Sequence, residues 1–176
     1  EAPTWLQMLG SGVFTMVWTA IVAFLIAFLL GSLLGVIRTL PNKPLAFIGN
    51  CYVEIFRNIP LIVQLFFWAF VFPEFLPDSL SAGSGDVVAG GWWKNILNQQ
   101  PAVIGVFALG LYTAARVSEH VRAGINTVSR GQKFAASAMG FTTAQSYRYV
   151  ILPVAYRTVW PTITSEAMNV FKNSAV

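Results

Sequence analysis

The chain has 176 residues, 56% hydrophobic and only 10% charged, with a mean hydropathy of +0.63 and a formal net charge of +4. A soluble domain of this size carries about a quarter charged residues, whereas residues 2–37 and 95–115 hold no charge at all, and each run reaches the roughly 20 residues that cross a bilayer. Composition therefore excludes a soluble globular domain and points to an all-α, multi-pass membrane protein. The cations sit in short loops beside apolar runs, as the positive-inside rule expects, and do not form a nucleic-acid face.

The first predicted span runs from about Val13 to Val36. Trp5 and Trp18 lie near its start, where indole rings favour the interface. Gly31 and Gly35 form a small-xxx-small pair that admits another helix closely, in ordinary bundle packing or in a dimer. The chain opens on Glu1 with no basic stretch, and its first apolar run is too long for a signal peptide. The absent initiator Met and the stop at Val176 lead to the expectation of a fragment clipped at both ends. The segment from Arg38 to Pro44, with two cations and two prolines, closes the span in a tight loop.

The second predicted span, about Leu45 to Phe72, is mildly apolar at first and carries Glu54 and Arg57 at i, i+3 on one helix face. Pro60 removes a backbone donor and predicts a kink, after which the span is strongly apolar apart from Gln64. Cys51 has no internal disulfide partner and reads as a small apolar filler. Residues 73–100 read as an exterior loop: they contain Pro73, Pro77, a Ser/Gly cluster and Trp92-Trp93, and Glu74, Asp78 and Asp86 outnumber Lys94.

The third predicted span, about Ala102 to His120, carries Arg116 and Glu119 toward its far end, and His120 reads as an ordinary polar helix-end residue. Residues 121–149 are polar and basic, with Arg122, Arg130, Lys133 and Arg148 and no acid. The fourth span starts near Pro153 and ends about Phe171, with Glu166 and Asn169 inside and Lys172 at its end. The cations place loops 38–44 and 122–149 in the cytoplasm, and loop 73–100, the N-terminus and the end of span four outside. A fifth span would be needed to bring the chain back.

The basic loop contains Gly131-Gln132-Lys133-Phe134-Ala135-Ala136-Ser137-Ala138-Met139-Gly140, nine further residues, then Val150-Ile151-Leu152-Pro153. Gly140 can take φ > 0 and let two short helices meet in a sharp turn, and Pro153 suits the first turn of the next helix. The pattern resembles the EAA motif of ABC importer permeases, departing from it at Phe134, where the family usually has Glu. Tyr52-Val53-Glu54-Ile55-Phe56-Arg57-Asn58-Ile59-Pro60 through Gln64, Glu119-x-x-Arg122-x-x-Ile125, and Leu152-Pro153 through Lys172-Asn173-Ser174 look like the polar-amino-acid branch of that family. Thr113-Ala-Ala-Arg116-Val-Ser-Glu119, with Pro73-Glu-Phe-Leu-Pro77, most resembles glutamate/aspartate permeases; many relatives carry an aromatic where Arg116 stands.

The resemblance covers nearly the whole chain and implies one transmembrane domain over 1–176, a MetI-like helical bundle with four spans present of an expected five and a coupling loop over 129–153. It implies a multi-pass protein of the bacterial inner membrane with its N-terminus outside. Its partners would be two ATPase subunits, a second permease subunit (identical or paralogous), a periplasmic or surface substrate-binding protein and the lipid bilayer, with no nucleic acid. Ala135, Ala136, Gly140, Leu152 and Pro153 are the residues expected to couple to the ATPase.

The chain has no G-x-x-x-x-G-K-[ST] loop and no catalytic Ser/His/Asp, metal-binding or nucleotide-binding constellation. The expectation is a transport subunit without an ATPase, a cofactor or a metal of its own, with ATP bound by the partner. Glu54, Arg57, Arg116, Glu119, Glu166 and Asn169 are the candidate substrate residues. Glu166 and Asn169, three apart, can face one cavity, the first to pair with an ammonium and the second to give a neutral hydrogen bond. Arg116 offers a planar fork for a carboxylate, which favours an acidic amino acid. The competing reading pairs Arg116 with Glu119 on the same helix as a structural brace. A secondary transporter or channel subunit shares the hydropathy but does not explain the EAA pattern. A membrane enzyme lacks its catalytic cluster, and a purely structural scaffold does not explain intramembrane charges.

Overall fold

A computed structural model describes residues 5–72 and 101–175, which are helical except for short connections. The expected exterior loop at 73–100 lies outside the described residues. Helix α1 (Trp5–Ile37) is followed by α2 (Lys43–Asn58) and α3 (Leu61–Phe66), which continues in a wider helical turn to Val71. After residue 100 come α4 (Pro101–Thr127), α5 (Arg130–Ala138), α6 (Thr143–Ser146), a second wide turn (Tyr147–Ile151) and α7 (Leu152–Asn173).

The 33 residues of α1 rise about 50 Å, more than the roughly 30 Å hydrocarbon core of a bilayer. One narrow stripe of α1 is buried, made of Thr19, Ala20, Ala23, Ala27, Gly31 and Gly35, while Phe14, Ile21, Leu25, Leu29 and Leu33 stay exposed. The stripe lies along α4. A Cβ at Gly31 would fall 2.6 Å from the Ala114 carbonyl oxygen, and one at Gly35 2.7 Å from Val121 Cβ. The two glycines therefore serve close packing inside this chain, not a free dimer face. Val117, Val121 and Ile125 of α4 also form one buried cluster with Ala155, Val159 and Ile163 of α7, with Phe24, Phe28 and Val36 of α1 packed against it.

The second predicted span is broken rather than kinked: α2 and the segment Leu61–Val71 meet at 101°. Ile59, ahead of Pro60, is forced extended (φ −90°, ψ 124°). The carbonyls left open at the end of α2 need partners, and buried Gln64 supplies them: its Nε2 donates to Phe56 O at 2.8 Å and to Ile59 O at 2.9 Å. By length and apolar character α1 and α4 can each cross a membrane, and the bent pair raises the number to three where it counts as one broken span and not as a re-entrant loop. The expected fourth span, α7, is 22 residues, about 33 Å. It carries Arg157, Glu166 and Lys172 and falls short on apolar character.

The loop between α4 and α7 is built from local caps. Ser129 Oγ accepts from Gln132 N at 3.3 Å to start α5. Gly140, at φ +79°, ends it. Phe141 N bonds Ala136 O at 3.1 Å and Gly140 N bonds Ser137 O at 3.0 Å, the Schellman pattern that favours glycine. Thr142 and Gln145 form a reciprocal capping box for α6. Tyr147 Oη then donates to Thr39 O at 2.8 Å, which brings the two loops expected in the cytoplasm to one end of the bundle.

Candidate functional site

The six predicted substrate residues divide between two cavities on two sides of α4. In the first, Glu166 projects from α7 with its side chain only 5% exposed. A buried carboxylate is tolerated where partners replace its water. Here Arg116 Nη2 donates to Glu166 Oε1 at 2.9 Å, and His120 Nε2 lies 3.1 Å from the same oxygen. Arg116 is itself 40% exposed, so part of its guanidinium stays open to a cavity of about 330 Å³. Asn169, Tyr112, Thr113 and Lys172 share its walls, which places Glu166 and Asn169 in one cavity.

The second cavity, about 420 Å³, holds Glu54, Arg57 and Glu119 together with Arg38, Asn50 and Arg122. Its centre is Arg38, at the end of α1, with a side chain 4% exposed. Nε donates to Asn50 Oδ1 at 2.7 Å, Nη1 to Ser118 Oγ at 3.2 Å and Nη2 to Glu119 Oε1 at 2.8 Å. Gly49 makes room for this side chain, since a Cβ there would sit 2.7 Å from Arg38 Cγ. Arg57, 58% exposed, approaches the same Glu119 oxygen at 3.6 Å. Glu54 is exposed.

The Arg116–Glu119 brace is therefore not formed. The two side chains diverge on the helix, and each takes a partner from another element: α7 for Arg116, and α1 and α2 for Glu119. Sequence reasoning missed Arg38, read there as a loop cation, and His120, which lies inside α4 and not at its end. His120 is four residues beyond Arg116, a spacing that shares a helix face. Arg38 gave no local signal, because Ser118 and Glu119 are 80 and 81 residues away in sequence.

On the coupling loop Ala135 is exposed and its neighbour Ala136 buried, as adjacent residues about 100° apart on a helix must differ. Ala136 seats α5 against the bundle and is not available to a partner. Phe134 is 70% exposed and Met139 72% exposed. Leu152 is half-buried, and Pro153 sits exposed in the first turn of α7.

Residues 27–176 match the model of a family described as binding-protein-dependent transport system inner membrane component. The chain is 49% identical over 175 residues to a glutamate/aspartate import permease protein of Escherichia coli (strain K12), covering 98% of this chain and 68% of that protein. It is 34% identical over 170 residues to a probable glutamine ABC transporter permease protein of Bacillus subtilis (strain 168), covering 97% and 69%. A crystal structure of an amino acid ABC transporter with histidines superposes with a TM-score of 0.69 at 28% identity, covering 99% of this chain and 75% of that one.

Proposed function

The chain belongs to the family of binding-protein-dependent transport system inner membrane components and is a permease of an amino-acid ABC importer; from that premise we propose that it carries acidic amino acids past Arg116. The observation that bears most weight is the asymmetry of the Arg116–Glu166 pair: a deeply buried carboxylate holds a cation that remains half open to a cavity. An entering amino acid brings an ammonium and at least one carboxylate. Glu166 suits the ammonium, Arg116 the carboxylate through its planar fork, and Asn169 a neutral hydrogen bond. An acidic side chain gains from the additional cation Lys172 on the same wall. The 49% identical relative is a glutamate/aspartate import permease protein, which agrees with this reading.

In the same proposal α7 is a fourth span, with Glu166 kept tolerable inside the membrane by Arg116 and His120, and the N-terminus is outside. Two ATPase subunits bind and hydrolyse ATP, a second permease subunit completes the pathway, and a binding protein delivers substrate. The ATPase docks on the exposed side of α5, where Phe134, Ala135 and Met139 form an apolar patch and Gly140 shapes the turn; Leu152 and Pro153 carry the motion into α7. The test is uptake by the full-length complex in proteoliposomes. The expected result is ATP-dependent entry of glutamate in preference to glutamine and arginine. Uptake driven by an ion gradient without ATP, or no preference for acidic substrates, rejects the proposal.

A further inference from the structure

A third polar cavity, about 410 Å³, lies where the coupling loop meets the end of α1, and nothing in the transport reading uses it. Its lining includes Arg38, Arg122, Lys133, Asn50 and Asn126 and contains no acid. Arg38 is neutralised by Glu119 on its far side. Arg122 and Lys133 make no ion pair among the described residues, although Arg122 also borders the Glu119 cavity. Asn50 spends its Oδ1 on Arg38 Nε, so its amide N–H groups are left to donate. The cavity thus presents mainly donors and two cations, Lys133 and an Arg122 that Glu119 attracts only from the neighbouring cavity.

The absence of an acid from this lining separates the cavity from the other two. The 330 Å³ and 420 Å³ cavities contain glutamates, Glu166 in one and Glu54 and Glu119 in the other, and can receive a zwitterion's ammonium; here an ammonium would meet cations, amides and two neutral hydroxyls and no carboxylate. The ligand that fits is an anion without an ammonium, and a guanidinium beside a primary amine suits a phosphate group. The wall also joins separate parts of the chain, Arg38 and Thr39 at the end of α1, Asn50 on α2 and Lys133 on α5, at the end where loop cations cluster. Basic pockets at the cytoplasmic ends of membrane helices bind lipid phosphates.

We propose that this cavity binds the phosphate of an anionic phospholipid headgroup, phosphatidylglycerol or cardiolipin in kind, and that the bound lipid ties the coupling loop, through Lys133, to Asn50 of α2 and Arg122 of α4. Phosphatidylethanolamine, whose phosphate carries an ammonium, is disfavoured. Inorganic phosphate shares the chemistry and is the alternative source.

The experiment places the full-length complex in phosphatidylcholine nanodiscs containing phosphatidylglycerol or phosphatidylethanolamine. Retained lipid is measured by native mass spectrometry after detergent exchange, and binding of inorganic phosphate is titrated in parallel. Wild type is expected to retain phosphatidylglycerol and not phosphatidylethanolamine. Arg122→Gln with Lys133→Gln is expected to bind about thirty-fold more weakly, while Lys43→Gln, an exposed cation outside the lining, retains it. Should the double variant not assemble, Lys133→Gln alone is expected to weaken retention about fivefold. Phosphate binding lost in the double variant, without lipid retention, would support the phosphate site and move its source to solution. Equal retention of both lipids, equal loss in Lys43→Gln, or no binding of lipid or phosphate would overturn the proposal.

Discussion

Helix α4 carries two arginine–glutamate contacts on two sides, and they differ in how completely the arginine is used. Toward α1, Arg38 is almost wholly buried, and its three nitrogens are committed to Asn50, Ser118 and Glu119. Toward α7 the burial is reversed: Glu166 is enclosed and Arg116 remains half open to a cavity. A fully satisfied buried ion gains nothing from a new ligand, whereas a half-open one can exchange or add a partner. The first contact fits a fixed anchor and the second a working site, although both are ion pairs of similar length.

The largest expected effect comes from breaking the anchor. Arg38→Met removes three side-chain hydrogen bonds and leaves a partly exposed Glu119 with the weaker attraction of Arg57 and Arg122, and should destabilise the subunit by about 3 kcal/mol. Thermal unfolding of the detergent-solubilised complex measures this, and a near-neutral result would show that Arg38 is no anchor. Gly31→Leu attacks the same side without touching a charge. Its Cβ meets the Ala114 carbonyl, and overpacking of this kind costs about 1–3 kcal/mol. A tolerated leucine would mean that α1 and α4 separate readily and that the rigid face is not rigid.

Both faces of α4 lead down to the coupling loop. Gly140→Trp forces a side chain onto a residue at φ +79°, at about 1–2 kcal/mol of local strain. The expected result is ATP hydrolysis that continues while glutamate transported per ATP falls; unchanged coupling would remove Gly140 from the proposal. The smallest effect is expected at Arg57, the loose second partner of Glu119. Arg57→Gln should alter stability by less than about 1 kcal/mol and leave substrate preference intact. A marked loss of preference would extend the working site to the Glu119 side and break the distinction between the two faces.

The sequence made the first and third spans legible because long apolar runs need no tertiary information, and Gly140 and Pro153 were legible because their local conformations are set by their own backbones. The membership of Glu166, Asn169 and Arg116 in one cavity followed in part from helical spacing. The choice of partners did not follow. Arg116 and Glu119 stand at a spacing that permits an ion pair, and only the packing of α1, α2 and α7 around α4 decides between that pair and the two observed. Arg38 lay beyond any local pattern for the same reason. Pro60 foretold a disturbance in the second span, but its size depends on Gln64 reaching back to the open carbonyls. Likewise, the burial of Ala136 beside exposed Ala135 depends on how α5 seats on the bundle.

The central claim is that Arg116 recognises acidic substrates and does not merely brace α7. The most direct measurement is uptake of glutamate and glutamine by complexes carrying Arg116→Gln or Arg116→Lys, at matched assembly in proteoliposomes. Loss of a charge-assisted contact predicts that Arg116→Gln lowers kcat/KM for glutamate at least about tenfold. Glutamine should change far less, and Arg116→Lys should keep most of the acidic preference. An equal fall for both substrates, or no change for either, would contradict the account.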